Sequence, residues 1–410
     1  MPIWNIYGKK YDLTKLIDIH PGGKDVLLLS CGEPDLTVIF ETYHAFSNKE
    51  KISKWMEKYE IIETIETVEK HKQYDFTNYH KLTNIIKTEV GFTNRELVKS
   101  NIGWVIQNTI TLLLYGITFY NAMFSSYSIL LRSLLGSVAG LSYMSLLFTA
   151  MHDASHFALS INPNVNNSIS KLLNGFGLLN SNIWFYHHVI NHHSFTGEIG
   201  KDPDLYHLNP FLNKTIIKSR KQILHDKVNY IPYILTFFPG QYLGQCLSYL
   251  VTTINHKIFR IKIPGHKIMY DTVDICLYLL KLYCLYYGLW IPTICYIISL
   301  NFWYHINVVL DHDSYETAEN HYEGNDWLKL QVCNSGNFLN GNYIWTRLFG
   351  GINYQIEHHL FPNMSNIHYP KIAPIVHQFC IENNIPYVNH TNLWNGYKSW
   401  IKMLKSKNNG

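Results

Sequence analysis

Charged residues are scarce in this sequence, and their scarcity is local. Asp, Glu, Lys and Arg make up 16% of the 410 residues, whereas an ordinary soluble domain has roughly 25%. Residues 102–150 and 272–310 carry almost no charge, which argues against a purely soluble protein. The net charge of +4 is too small to indicate nucleic-acid binding, and it fits a mildly basic face beside anionic lipid.

Disulfide and secretion signals are also missing. The seven cysteines form no CxxC pair and have no regular spacing, so we expect reduced thiols. Met1 to Lys10 contains no apolar stretch, so insertion into a membrane should use internal segments.

Long apolar runs, by contrast, are present in two parts of the chain. Residues 102–123 and 128–150 each have about the length of a membrane span, and a short hairpin joins them. Two of the three later segments 231–254, 273–289 and 291–311 should also cross, because histidine clusters on both sides of them must share one face. Prolines favour 231–254 as the re-entrant or interfacial one, although crossing by it stays open.

Basic residues predict the orientation of these spans. The polar stretch 151–230 and the loop 255–271 are rich in Lys and Arg, which places them in the cytosol together with both termini. Lys281 lies inside a predicted span and would need a partner or water. The prediction is a mainly α protein with four transmembrane helices and a cytosolic helical cap.

Three histidine clusters adjoin the apolar segments. They comprise His152 and His156; His188, His192 and His193; and Gln355, His358 and His359. Residues four apart share a helix face, whereas His193 should be turned by about 100° from His192 and reach a second metal. Neutral imidazole suits iron, copper and zinc, and the clusters hold more ligands than one ion needs. The Glu-x-x-His motif of carboxylate-rich di-iron bundles is absent, so the pattern predicts an all-imidazole two-iron centre.

The N-terminal segment 1–62 reads as a small separate α+β domain. His20-Pro-Gly-Gly and His44 lie 24 positions apart, as axial ligands on opposite faces of a porphyrin could, and the glycines permit close backbone approach. Residues 63–100 form a polar linker with a possible amphipathic helix, either solvated or lying on the membrane surface. The main domain should then run over 101–395, and 396–410 should be a polar tail.

These N-terminal motifs, with Tyr11-Asp-Leu-Thr, resemble a cytochrome b5 domain. The resemblance implies haem b held by His20 and His44. The chain departs from the family by lacking the extra strand and helix that usually precede the Trp at position 4.

The rest of the chain resembles the membrane fatty-acid desaturases, specifically the front-end type fused to cytochrome b5. The likeness is carried by Asp326-Trp, Gln331-Val, Asn337 and the run from Gly350 to Pro362, in which Gln355 replaces a histidine found in other desaturases. It implies that the three clusters are the catalytic iron ligands. It also implies that His305 is a further ligand, with Asn301 binding through water and His312 as its rival. Four carboxylates could orient ligand rings: Asp153, Asp202, Asp204 and Glu357.

The resemblance further implies an O2-dependent oxidoreductase. It would place a cis double bond between an existing one and the carboxyl end of a polyunsaturated acyl-CoA or acyl-phospholipid. Electrons would come from NADH through cytochrome b5 reductase and the fused haem domain, at the endoplasmic reticulum. The gap between His188 and His192 favours Δ5 over Δ6 or Δ8 chemistry. A sphingoid-base desaturase, a fatty acyl hydroxylase and a haem electron carrier with an inactive iron site remain alternatives.

Overall fold

The computed structural model describes residues 2–61, 72–206, 240–264 and 270–406. Within these ranges the protein is mainly helical, and its strands form short two-stranded sheets. The predicted mainly α class with a small N-terminal α+β domain is confirmed.

The N-terminal domain folds around an antiparallel hairpin. Its elements are β1 (Trp4–Ile6), β2 (Lys9–Tyr11), a 3-10 turn (Thr14–Leu16), α1 (Lys24–Ser30), α2 (Thr37–Tyr43) and α3 (Lys49–Tyr59). Tyr7 and Gly8 link the strands with φ values of 55° and 70°, the left-handed pair that a tight hairpin turn requires. Trp4, paired with Tyr11 across the hairpin, is almost fully buried in a small apolar core of its own.

Helix α4 (Thr77–Glu89) occupies the predicted linker. Its apolar face buries Tyr79, Leu82 and Ile86, in one cluster with Trp327 and Phe361 of the C-terminal region. The amphipathic helix is therefore present, but the surface that it covers is protein rather than solvent or lipid.

Two long apolar helices follow. They are α5 (Ile102–Phe124) and α6 (Ile129–Leu146), and α6 continues through a π turn (Leu147–Met151) into α7 (His152–Ser155). Asn101 and Ser128 cap the two helices by accepting hydrogen bonds from backbone N–H groups of the first turn. These caps fix where each helix begins, and they agree with the hairpin that the sequence predicted between the two apolar runs.

The central region packs further helices against this pair. Its elements are α8 (Pro163–Phe176), α9 (Ser181–Trp184), a π-helix (Phe185–His192), a 3-10 turn (Pro203–Leu205), α10 (Gln241–Asn255), β3 (Lys257–Ile258), β4 (Ile261–Lys262), α11 (Thr272–Tyr287) and α12 (Trp290–His312). Helices α6 and α12 touch closely at Gly136 and Gly140, where an added Cβ would lie 2.5 Å from Pro292 O and 2.4 Å from Tyr296 O. Small residues at this spacing let membrane helices approach.

Three described helices are long and apolar enough to span a membrane: Ile102–Phe124, Ile129–Ser155 and Trp290–Glu319. Helix α11, expected to be a fourth span, has 16 residues, fewer than the roughly 20 that a bilayer core needs. The described part of segment 231–254 is helix α10, and residues 231–239 lie outside the described ranges. The four-span arrangement thus stays a prediction.

Lys281 of α11 has the partners that its position demands. Its Nζ donates to Tyr296 Oη at 2.7 Å and to Tyr115 Oη at 3.2 Å. The rings of Phe119, Phe176 and Tyr143 also lie within 4.9 Å of the ammonium group. Hydrogen bonds and cation–π contacts together offset the cost of removing this cation from water.

The C-terminal region forms a helical cap. Its elements are α13 (Tyr315–Glu319), α14 (Trp327–Cys333), β5 (Asn337–Phe338), α15 (Tyr343–Leu348), α16 (Gln355–Leu360), a 3-10 turn (Asn366–His368), α17 (Tyr369–Glu382), β6 (Asn389–His390) and α18 (Leu393–Ser406). Trp400 and Met403 of α18 are buried in the main core. Much of the predicted polar tail 396–410 is therefore helix, because its few apolar residues recur on one face.

Candidate metal centre and haem pocket

The local backbone at two clusters is π-helical. His152 follows the turn Leu147–Met151, and its N–H bonds to Leu147 O; the N–H of His193 bonds likewise to His188 O. In a π-helix the backbone hydrogen bond joins residues five apart rather than four, and His188 and His193 lie close together, with their Nε2 atoms 3.2 Å apart. The predicted pairing of His188 with His192 was based on an α-helix, and the structure instead places these two histidines in different groups.

Four histidines form the first group of converging rings. They are His152, His156, His188 and His358, whose nearest ring nitrogens all lie within 4.8 Å of one another. The Nε2 atoms of His152 and His188 are 2.8 Å apart. The buried Nε2 atoms of His156 and His358 have no hydrogen-bond partner, so each has a lone pair available for a metal ion at the centre of this group.

A second group lies beside the first. It contains His192, His312 and His359. Gln355 extends this group, because its Nε2 is 2.9 Å from His312 Nε2 and 3.2 Å from His359 Nε2. His193 stands between the groups, with its ring centroid 4.6 Å from that of His358 and 4.3 Å from that of His359.

The structure places His312, rather than His305, with these histidines. His305 Nδ1 lies 3.0 Å from Gln241 Oε1, and its ring packs on Trp400. The two histidines share a face of α12, but seven residues separate them by about 10 Å along the axis. Asn301, also predicted near the iron, instead accepts a hydrogen bond from Tyr242 N at 2.9 Å.

Outer hydrogen bonds orient five of the rings through Nδ1. The partner atoms are Tyr43 Oη for His156, Tyr369 Oη for His358, Asp202 Oδ1 for His192, Asn334 O for His312 and Gln331 Oε1 for His359, at 2.8–3.1 Å. Each of these oxygens can accept a hydrogen bond. The carboxylate, carbonyl and amide oxygens can only accept, so Nδ1 of His192, His312 and His359 carries the hydrogen and the lone pair is on Nε2, as a metal ligand requires. The same holds for His358, because Tyr369 donates its own hydroxyl hydrogen to Met364 O.

The carboxylates predicted to orient ligand rings divide into two pairs. Asp202 accepts from His192, and Asp204 lies 3.4 Å from the same Nδ1. Asp153 instead accepts from Ser365 Oγ and Asn366 N, and Glu357 is held by Asn337 and Tyr387. These two carboxylates brace the surrounding backbone.

Two tyrosines, Tyr43 and Tyr369, were not anticipated as neighbours of the histidines. Tyr43 is 113 residues from His156, and the helix that carries His358 ends at Leu360, before Tyr369, so no local sequence pattern indicated the contacts. His187, which directly precedes His188 in the chain, stands apart from both groups. Its ring nitrogens lie 2.6 Å from Asp204 Oδ1 and 2.8 Å from Tyr249 Oη.

Electrostatics favour neutral rings in both groups. Burial, reinforced by neighbouring imidazoles, holds the pKa values of His188 and His358 well below the usual range. The same causes hold the pKa values of His193 and His359 well below it. Neutral imidazoles keep the electron pair that a transition metal takes.

A cavity of about 590 Å³ lies between the N-terminal domain and the rest of the chain, with His20 and His44 among its lining residues. Their ring centroids are 6.2 Å apart. A metal ion between the two rings would give a similar distance, since two metal–nitrogen bonds of roughly 2 Å each add to the distance from each ligand nitrogen to the centre of its ring. His44 Nδ1 donates to Phe40 O at 2.7 Å, and burial lowers the pKa of His20 to about 4. The residues present thus fit a planar porphyrin between two neutral imidazoles.

Gly22 keeps this cavity open beside His20. A Cβ at Gly22 would lie 2.9 Å from His20 Cε1, so a larger residue would displace the ring. Arg95 and Lys51 also line the cavity and offer cationic groups for an acidic ligand edge.

Comparisons with known proteins agree with this geometry. The fatty acid desaturase family matches residues 128–391, and the cytochrome b5-like haem/steroid binding domain matches residues 2–65. The chain belongs to the fatty acid desaturase family and is a front-end fatty acyl desaturase with a fused cytochrome b5-like domain. It is accordingly an oxidoreductase that acts on acyl lipids, and its family is membrane-bound.

Its relatives are similar over nearly the whole chain. The acyl-lipid (8-3)-desaturase of Mortierella alpina is 27% identical, over 98% of this chain and 92% of that protein. The Delta(5) fatty acid desaturase A of Dictyostelium discoideum is 27% identical over 98% of this chain and 89% of that protein. The Delta(8)-fatty-acid desaturase 1 of Arabidopsis thaliana is 23% identical over 93% and 84%, respectively.

Proposed function

We propose that the protein is a di-iron Δ5 front-end desaturase of polyunsaturated acyl chains. The observation that carries the proposal is the pair of histidine groups, whose rings converge through Nε2 while oxygen acceptors hold Nδ1 outside. One iron ion would bind His152, His156, His188 and His358. The other would bind His192, His312 and His359, with His193 between the ions and Gln355 beside the second.

Bound iron would supply the oxidising power of O2 that removal of hydrogen from an unactivated methylene needs, which no side chain can provide. The protein positions the acyl chain and limits access of water. A small cavity reaches the rings of His152, His188 and His312, and Phe148 and Trp184 are among its walls. Trp184 stacks on His188 with ring centroids 4.6 Å apart, so it shields the first group on the side where an apolar chain would lie.

Haem b held by His20 and His44 would supply electrons one at a time. Because the haem domain is part of the same chain, its effective concentration at the iron site is high. Cytochrome b5 reductase, with NADH, is the upstream donor that such a haem domain would use. The acyl carrier would be CoA or a phospholipid.

The preference for Δ5 over Δ8 is supported by the relatives. Two of the three similar proteins described above carry names for (8-3) or Delta(5) activity, while the Delta(8) enzyme is less similar. The gap between His188 and His192 favours the same choice.

We further propose four spans in the endoplasmic reticulum membrane, with both termini and the histidine groups in the cytosol. The three candidate spans support this, and α11 would be the fourth, as a short helix around which the bilayer thins. The excess of Lys and Arg in the sequence over 151–230 and 255–271 supports the orientation.

Expression in yeast tests the activity and its regiochemistry together. Cells fed separately with Δ8-, Δ9- and Δ11-unsaturated acids should form a new double bond in the Δ8 acid alone, at carbon 5, as seen by gas chromatography and mass spectrometry. The variant His358→Ala should form none. Conversion of the Δ9 or Δ11 acid would instead identify a Δ6 or Δ8 enzyme.

The alternatives give different products. A hydroxylase would add the mass of one oxygen atom, and a sphingoid-base desaturase would alter the long-chain base rather than the fed acid. A haem carrier without iron chemistry would leave every fed acid unchanged while its haem still undergoes reduction.

A further inference from the structure

The haem domain is docked on the desaturase domain by specific contacts. Arg95 donates to Pro21 O at 3.2 Å, and the Tyr186 hydroxyl donates to Leu29 O. Gly23, with φ +90°, packs so closely on Pro163 that an added Cβ would lie 2.7 Å from its Cβ. Such close packing holds the two domains in one orientation, which a flexible tether alone would not.

The docked orientation brings the haem cavity against the iron-ligand helix. Val189 and Ile190, which lie between His188 and His192 in the π-helix, are among the residues that line the haem cavity. Both side chains are buried. One face of this helix thus borders the haem pocket, while His188 and His192 face the metal centre.

Tyr43 joins the two sites directly. It precedes the haem ligand His44 in the chain, and its hydroxyl lies 2.8 Å from Nδ1 of His156 in the first histidine group. Asn363 Nδ2 donates to Tyr43 O at 2.9 Å, and the carbonyl and side-chain oxygens of Asn363 accept from Lys99 Nζ. The backbone at Tyr43 is therefore fixed from the desaturase side of the interface.

A comparison within the site separates two roles for this tyrosine. Tyr369 Oη makes the equivalent contact with Nδ1 of His358, at 3.1 Å, and donates onward to Met364 O. Both hydroxyls orient a ligand ring of the same group. Tyr43 differs because covalent bonds connect it to a haem ligand, whereas Tyr369 belongs to the cap.

We propose that Tyr43 is the electron bridge from the haem to the iron centre. This inference rests on the proposed function. In each transfer, ferrous haem iron loses one electron and becomes ferric, and one ferric ion at the histidine groups becomes ferrous. No bond forms or breaks, no proton moves, and Tyr43 stays a neutral phenol whose bonds couple His44 to His156. Two transfers supply the electrons for one double bond.

The test uses three full-length variants, each loaded with haem and iron. Tyr43→Phe removes the proposed bridge contact. Tyr369→Phe removes the matching hydroxyl from His358, with no connection to the haem. Tyr186→Phe removes an interdomain hydrogen bond that ends on a backbone carbonyl. For each variant we would measure bound iron, haem content and the Soret spectrum, and then the ferrous fraction of the haem during turnover with NADH and cytochrome b5 reductase.

Tyr43→Phe should keep its haem reduced during turnover and transfer electrons about tenfold more slowly per bound iron pair, a change equal to ~1.4 kcal/mol in barrier. Its reduction of added cytochrome c should equal that of the wild type, because the route into the haem is intact. Tyr369→Phe should lower iron affinity by about 10- to 100-fold, as loss of an outer partner does. Its haem oxidation per bound iron pair, like that of Tyr186→Phe, should remain normal.

A normal rate of haem oxidation per bound iron pair in Tyr43→Phe would overturn the proposal. Equal slowing in Tyr43→Phe and Tyr369→Phe would also overturn it, and would assign Tyr43 a purely orienting role. Equal slowing in Tyr186→Phe would assign the effect to docking instead. Failure of the wild type to form any new double bond would refute the proposed function, which is a different result from any of these.

Discussion

Replacement of His312 should remove one of the two iron ions, whereas replacement of His305 should not. Both residues lie on helix α12, seven positions apart. His312 Nε2 is 3.2 Å from the Nε2 atoms of His192 and His359 and 2.9 Å from Gln355 Nε2. His312→Ala takes away one of three ring nitrogens in the second group, and two are fewer than the three protein ligands that catalytic metal sites usually keep.

The magnitude follows from the contacts. Loss of an outer partner alone costs about 10- to 100-fold in metal affinity, so loss of a direct ligand should cost at least about 100-fold, or ~3 kcal/mol. His305→Ala instead removes the contact with Gln241 and the packing on Trp400. It should lower thermal stability without altering the amount of bound iron.

Elemental analysis after dialysis against a chelator measures the difference. His312→Ala should retain about half of the non-haem iron of the wild type, and His305→Ala should retain all of it, with haem content unchanged in both. The reverse pattern, with iron lost from His305→Ala and kept in His312→Ala, would refute the assignment of the second group.

Three further perturbations test other parts of the structure. Gly22→Ala should weaken haem retention, because the new Cβ would lie 2.9 Å from His20 Cε1 and overpacking typically costs about 1–3 kcal/mol. The Soret absorbance per protein measures the haem that is retained. In haem-free protein, thermal stability should fall as the pH drops from 6.5 towards 4. His20 takes up a proton in the unfolded state over this range but stays neutral in the folded state, where burial lowers its pKa to about 4. A flat profile would contradict a buried, neutral His20. Tyr296→Phe should destabilise the protein by about 1–3 kcal/mol through loss of an acceptor for Lys281, while Tyr283→Phe, on an exposed ring, should be neutral in the same thermal scan.

The sequence predicted the features that depend on local pattern. The two apolar helices and the amphipathic helix α4 follow from the length and spacing of apolar residues within a short window. The same logic predicted that His152 lies with His156, since residues one helical turn apart share a face, but it did not predict that His188 and His192 belong to different groups.

Features that depend on packing could not be predicted from local sequence pattern. The π-helical backbone at His188 and His193 changes the spacing of the backbone hydrogen bond from four residues to five, and nothing in the residue types indicates this change. The position of His312 at the rings, two turns beyond His305, depends on how α12 is seated against α6 at Gly136 and Gly140. Tyr43 reaches His156 only because one folded domain is docked on another.

Metal content is the most direct measure of the central claim, which is that two groups of imidazoles hold two iron ions beside a haem domain. Purified full-length protein should contain one haem, by its pyridine haemochrome spectrum, and two further iron ions per chain, by elemental analysis, one for each histidine group. One non-haem ion per chain, or none, in a sample that desaturates acyl chains would contradict the account.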